Sequence, residues 1–210
     1  MNSNLQSSTE RFVQYVAPEP GITACGAGIA ITLDGFGAFK LLASQYLQEE
    51  GIGHIGPDGE LQVDYDQWYD LQAYLNAFRR ISRELSETII EQAGKAVPNR
   101  AHFPPHVIDI QTALRSLDVA YHMNHKKRGM LMYDPAGGRM LEGIGHYQYT
   151  KNPLRREITI TCDNPYPCSF DRGLITAMAK RFDAKAVVRH DDGMPCRRRG
   201  GSSCTFLVTW

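Results

Sequence analysis

Three cysteines near the carboxy terminus constrain this chain more than any other feature. Cys168 heads a run from Ser169 through Gly173 to Phe182 that reads as a helix. Cys196 and Cys204 lie on either side of the turn in a hairpin that ends at Trp210. The arrangement Cys168-x27-Cys196-x7-Cys204 thus carries three of the chain's five cysteines to the two ends of one helix–hairpin unit. Thiolates so placed could close a tetrahedral metal site, for which Zn²⁺ is the default ion. These spacings differ from the paired Cys-x2-Cys knuckles of familiar zinc modules. The competing reading is that the cysteines are small buried hydrophobes.

A family resemblance rests on the same residues. Cys168-x4-Gly173 opening a helix, then a strand, an acidic loop and Cys196-x7-Cys204-x-Phe206, resembles the 4-vinyl reductase domain family. That family includes sensory domains of aromatic-responsive transcription activators. It is distantly similar in fold to haem–nitric-oxide-binding domains and to vesicle-tethering transport-particle subunits. The resemblance covers the carboxy-terminal part of the chain. It implies a structural zinc held by Cys168, Cys196 and Cys204, with a glutamate three residues before the middle cysteine. That place is Gly193 here, so Asp192 is taken as the fourth ligand, with Asp191 and His190 on the same loop as alternatives. Three thiolates and one acid would close the site to water and make it structural.

Composition limits the alternatives. The 210 residues suit one domain with a real core. Lys+Arg and Asp+Glu are 23 each, which leaves no footprint for nucleic acid or an anionic membrane. Lys126-Lys127-Arg128 and Arg197-Arg198-Arg199 read as short solvated loops. The first residues lack the basic and apolar regions of a secretory signal, and no apolar run is long enough to span a membrane. Scattered, odd-numbered cysteines fit a reducing cytoplasm.

In chain order, residues 1–20 read as a polar tail with a short element near Phe12–Val16, and 21–210 as one sensor-like domain, mainly helical over 21–125. The glycines of Cys25-Gly26-Ala27-Gly28 lack the Gly-Lys-Ser/Thr ending of a phosphate loop, and close packing or a dimer contact is expected there instead. A helix is expected from about Asp34 to Glu50. Trp68, Leu71, Leu75, Phe78, Ile81, Leu85 and Ile89 recur at helical steps, predicting one long helix over 66–93, capped by Asp64 or Asp66 and ended by Gly94. Val107, Ile110, Leu114, Leu117 and Tyr121 predict another, with Pro104 and Pro105 in its first turn. A meander of three strands follows, over 129–133, 140–149 and 155–162. In the last, Ile158 and Ile160 alternate with Thr159 and Thr161. The expected class is α+β: amino-terminal helices packed on an antiparallel sheet, then strand meander, helix and hairpin.

A pocket for a small hydrophobic or aromatic molecule is expected between the helical stripes and the sheet, with Trp68, Tyr74, Tyr121, His122 and His146 as candidate lining residues. His122 and His125, three apart at a helix end, invite a metal or haem reading, although histidines also suit the negative end of a helix dipole. Tyr147-x-Tyr149-x-Lys151 is an echo of the Tyr-x-Ser-x-Arg signature of the haem–nitric-oxide-binding relatives. No motif fixes an enzymatic constellation; Cys162 with His146 is the nearest to a thiolate–imidazole pair. The sequence therefore points to a cytoplasmic, dimeric, small-molecule-binding sensory domain with structural zinc. A haem-based gas sensor and a non-enzymatic adaptor are the alternatives.

Overall fold

A computed structural model describes residues 13–210. Of the tail expected over 1–20, residues 1–12 lie outside them. From Val13 onward the chain is already held on the body: Tyr15 N donates to Pro165 O (2.8 Å) and Ala17 N to Gln72 Oε1 (2.8 Å).

The architecture is α+β, with helices and antiparallel sheet. Strand β1 (Ile22–Cys25) runs directly into α1 (Gly26–Asp34), whose first turn is capped by Cys25 Sγ accepting from Gly28 N. The glycine-rich stretch is therefore helical, eight residues ahead of the expected start at Asp34. Its glycines do serve close packing: a Cβ on Gly26 would sit 1.9 Å from Asp64 O. Helix α2 (Lys40–Glu49) follows, then the small ribbon β2 (His54–Ile55) with β3 (Leu61–Gln62).

The long helix predicted over 66–93 is three elements. Trp68–Asp70 forms β4, paired with β1, and Asp70 caps α3 (Leu71–Glu84) by accepting from Ala73 N. The chain turns at Leu85–Ser86, where Ser86 accepts from Ile89 N and starts α4 (Glu87–Arg100). A serine that can cap in mid-stripe is a stronger local signal than continued apolar periodicity, because it satisfies an otherwise orphaned donor. Gly94 does not end the helix. It sits inside α4 where that helix crosses a later one.

Helix α5 (Ile110–Met123) begins after Pro104 and Pro105 rather than on them. Asp109 and Thr112 form a capping box there, each side chain meeting the other's backbone N–H. Next come β5 (His125–Lys127) and β6 (Met130–Leu131), which join β4 and β1 in a sheet of order β4-β1-β5-β6. The ribbon β7 (Tyr133–Asp134) with β8 (Arg139–Met140) leads to the second sheet. That sheet contains β9 (Tyr147–Lys151), β10 (Glu157–Cys162), β11 (Val187–His190) and β12 (Cys204–Thr209), in the order β11-β12-β10-β9. The first expected meander strand thus belongs to the other sheet. A two-residue ribbon stands where an apolar run suggested a longer strand.

Between β10 and β11 lies α6 (Cys168–Phe182), packed on α4, α5 and the second sheet. Gly94 and Gly173 allow α4 and α6 to touch backbone to backbone: a Cβ on Gly94 would lie 2.2 Å from Phe170 O, and one on Gly173 2.1 Å from Glu91 O. The core joins Ile158, Ile160, Phe206 and Val208 of the sheet to Phe78, Leu114, Ile175 and Met178 of the helices, all buried. Its burial is the main favourable term in the fold. No single helix among the described residues is long and apolar enough to cross a membrane.

Candidate metal centre

The cap-side end of α6, the last residue of β11, the loop after it and the first residue of β12 meet at one point. One ligand atom each from Cys168, His190, Cys196 and Cys204 lies within 4.8 Å of all the others. Cys204 and Cys196 are 3.7 Å apart, sulfur to sulfur, and neither is in a disulfide. Twenty-seven residues of intervening chain are gathered because α6 lies along the sheet in which β12 is one of two central strands, returning Cys168 to the end of β12 at which Cys204 sits.

The side chain grouped with the three sulfurs is His190, and not the expected Asp192. Asp192 is exposed, and its carboxylate lies 3.0 Å from His190 Nδ1. The other ring nitrogen, His190 Nε2, is buried and has no hydrogen-bond partner. An imidazole oriented by a carboxylate on one nitrogen, with the other left bare, is the arrangement that metal-binding histidines show. Gly193, the position of the family's glutamate, has no side chain to offer. Asp191 is engaged in the loop, accepting from Gly193 N at 3.0 Å.

Electrostatics at the cluster favour a thiolate. The Cys168 thiol donates toward Cys204 and, with the Arg197 guanidinium and His190, holds Cys204 well below its ordinary value despite burial. Cys168 moves up correspondingly as the partner that keeps its proton. Arg197 N donates to Cys204 Sγ (3.3 Å), a backbone N–H···S contact that steadies the anion. Three sulfurs and one imidazole are the donor set of closed zinc sites. The residues present therefore fit Zn²⁺.

Beneath the cluster lies a buried ion pair that the sequence had suggested was a solvated loop. Arg197 Nη2 donates to Asp171 Oδ2, and both side chains are fully withdrawn from solvent. Arg197 Nη1 also donates to Asn164 Oδ1 (2.8 Å) and Tyr166 O (3.0 Å). Tyr147 OH donates to the second Asp171 oxygen at 2.6 Å. Burial raises the Asp171 carboxyl to about 6, against the opposing pull of Arg197. No short motif marks this pair, since its members come from α6 and from a turn twenty-six residues later.

Of the remaining predicted residues, His122 and His146 lie side by side, Tyr74 and Tyr121 both contact Tyr166, and Trp68 stands apart. Tyr74 and Tyr121 lie inside a buried aromatic cluster. The Tyr74 and Phe78 rings are 4.8 Å apart, Phe78 and Phe170 are 5.2 Å, Tyr166 and Phe170 stack at 5.4 Å, and Tyr121 meets Tyr147 at 5.3 Å. These rings occupy the seam between helices and sheet where a ligand pocket was expected. Trp68 lies at the far end of the other sheet, under Lys126 Nζ (4.3 Å). Two clefts lie elsewhere: one of about 500 Å³ lined by Gly53, His54, Gln62 and Gln67, and one of about 350 Å³ lined by Asp34, Lys40 and Glu60. Neither includes a predicted ligand contact.

The histidines have other partners. His125 is buried between Tyr121 O (2.7 Å from Nδ1) and Tyr166 OH (2.9 Å from Nε2). A carbonyl only accepts, so Nδ1 carries the proton and Tyr166 OH donates to Nε2. His122 is fully buried, its Nδ1 donating to Asp118 O (2.8 Å) while Nε2 has no partner. His146 bridges Asp118 Oδ2 (3.0 Å) and Glu142 Oε2 (2.9 Å), and those carboxylates raise its pKa to about 9. It is not paired with Cys162, whose thiol is fully buried and pushed well above its ordinary value. Of the Tyr147-x-Tyr149-x-Lys151 run, Tyr147 points inward to Asp171, Tyr149 OH is buried without a partner, and Lys151 is exposed.

The fold is that of an α+β domain whose helical part leads into an antiparallel sheet with one helix laid across it. Solved structures share it. An H-NOX protein from S. oneidensis in the Fe(II)NO ligation state is similar at 14% identity, over 88% of this chain and 97% of that one, with a TM-score of 0.59. An Fe(II) unliganded H-NOX protein from K. algicida is similar at 13% identity, over 88% and 95%, with a TM-score of 0.55. A third, from work on heme distortion in the H-NOX family, is similar at 12% identity over 88% and 94%, with a TM-score of 0.59. At these identities the likeness is one of fold. No family model matches the sequence, and no curated protein does.

The fold likeness raises the question of haem, and the side chains present do not fit it. The seam between helices and sheet is filled by Tyr74, Phe78, Tyr121, Tyr166 and Phe170, all buried. His125 has both nitrogens engaged and His146 is held between carboxylates. His122 keeps a bare nitrogen, but the side chain is wholly enclosed.

Proposed function

We propose that this chain is a sensory or regulatory domain of the H-NOX-like fold, clamped at its carboxy-terminal end by a structural Zn²⁺ on Cys168, His190, Cys196 and Cys204. One observation carries the zinc reading: three sulfurs and a ring nitrogen of His190, whose buried Nε2 has no hydrogen-bond partner, lie within 4.8 Å of one another. The ion would tie the start of α6 to the β11–β12 hairpin across a loop that has little core of its own. Four protein donors leave no open position, so the ion's part is mechanical. The kinship with 4-vinyl reductase domains belongs to this proposal, supported by the three cysteines in their order. Five free cysteines suit a reducing compartment such as the cytoplasm.

Elemental analysis with native mass spectrometry on untagged protein tests the zinc. One equivalent of zinc per chain, lost on Cys204→Ser, is the expected result. Metal-free wild-type protein of unchanged stability would overturn it. The same spectra report subunit count and any co-purified small molecule.

A haem-based gas sensor is the second reading, favoured by the fold alone. A visible absorption spectrum of protein from haem-replete cells separates the two: a Soret band supports haem, and a colourless preparation removes it.

A further inference from the structure

Asp118, His122 and His146 form a second group of donors, far in sequence from the thiolates. Asp118 and His122 stand four apart on α5, hence on one face of the helix. His146 arrives from the turn before β9, where Gly145 has φ +74° and a Cβ would lie 2.1 Å from Asp163 O. Only a glycine tolerates both demands, so this turn is shaped to deliver His146. Its backbone is held as well: His146 N donates to Asp163 Oδ1 (2.6 Å) and Tyr147 N to Asp118 Oδ1 (2.9 Å).

One ligand atom from each of the three residues lies within 4.8 Å of the other two. The two imidazole rings are 5.0 Å apart, centre to centre, and tilted by only 33°. His122 is fully buried, and its Nδ1 donates to a backbone carbonyl, so its Nε2 is a lone-pair nitrogen without a partner. A buried basic nitrogen left bare is costly, and a bound ion is one partner that satisfies such a group. Glu142 adds a further carboxylate oxygen 2.9 Å from His146 Nε2.

We propose that Asp118, His122 and His146 bind a first-row divalent cation, as a site separate from the thiolate cluster. Two imidazoles and one carboxylate are the donors that Zn²⁺, Co²⁺, Ni²⁺ or Fe²⁺ prefer over Mg²⁺ or Ca²⁺. Three protein donors leave coordination positions open, unlike the four-donor cluster at Cys168. The exposed Glu142 lies at the solvent side, and a small anionic or neutral ligand from solution would complete the sphere there. In the cation-free state the same residues form an ion pair, with His146 held between two carboxylates. Cation binding exchanges the proton shared between His146 and Asp118 for the metal and releases it to solvent.

Co²⁺ distinguishes the two sites, because only thiolates give sulfur-to-cobalt charge transfer in the near ultraviolet. The full chain, preloaded with one equivalent of Zn²⁺, is titrated with Co²⁺ alone. Expected is one further equivalent with visible ligand-field bands and no charge-transfer band, together with hyperfine-shifted imidazole N–H resonances in the proton spectrum. His146→Gln, at a partly exposed position, should lose that equivalent while circular dichroism and bound zinc stay unchanged. Absence of a second equivalent in the wild type, or its survival in folded His146→Gln, overturns the proposal. If His146→Gln fails to fold, the wild-type imidazole resonances decide alone. Charge transfer missing from zinc-free protein that still shows the ligand-field bands would refute the thiolate clamp and leave this site standing.

Discussion

Arg197 and Asp171 form an ion pair with neither side chain open to solvent. Arg197 follows Cys196 and sends its backbone N–H to Cys204 Sγ, while Asp171 stands one turn after Cys168 on α6. The pair therefore joins the same two segments that the donor cluster joins. Removing one partner leaves a buried, uncompensated charge. Arg197→Met should destabilise by about 3–5 kcal/mol, whereas Arg197→Met with Asp171→Leu should recover part of that loss. Urea unfolding of the two variants measures the difference.

The donors should differ in their effect on zinc. Cys204→Ser is expected to abolish stoichiometric binding and lower the melting temperature by roughly 5–10 °C. Asp192→Asn leaves all four donors in place and loosens only the orientation of His190. A drop of about 10–100-fold in zinc affinity, with the fold intact, is expected. Competition with a colorimetric chelator reads both.

Burial lowers the His125 pKa from 6.5 to about 4. The folded state thus keeps this ring neutral while the unfolded chain takes up a proton below pH 6.5. The associated stability is complete above pH 6.5 and is lost as pH falls toward 4, by roughly 2–3 kcal/mol. His125→Gln should flatten that part of the stability–pH curve. Parallel denaturant melts of wild type and variant between pH 7 and 4 check the slope.

The backbone contact between α4 and α6 has no room for a methyl group. Alanine at Gly173 would gain about 1 kcal/mol in intrinsic helix propensity. The clash with Glu91 O at 2.1 Å should outweigh it, giving net destabilisation of about 1–3 kcal/mol. A rise in melting temperature for Gly173→Ala would show that the helices can part without cost.

Local chemistry was readable wherever one segment decides its own structure. Leu71, Leu75, Phe78 and Ile81 repeat at helical intervals and all are buried on α3. Ile158 and Ile160 alternate with threonines, and β10 buries them alternately. The α+β class followed from such patterns. What failed was the length of the stripe through Leu85, because a capping serine outweighs continued periodicity, and the state of Cys25–Leu33, where an apolar glycine-containing run fits helix as well as strand.

The sequence by itself determined the periodic elements and supplied three thiols, because side-chain period and residue chemistry are properties of the local chain. Only the tertiary structure decided which imidazole joins those thiols, that Arg197 turns inward to Asp171, and that Asp118 and His122 meet His146. Each of these contacts links residues from different elements. Their geometry is set by how α5 and α6 lie against the second sheet, and that depends on packing across the whole core.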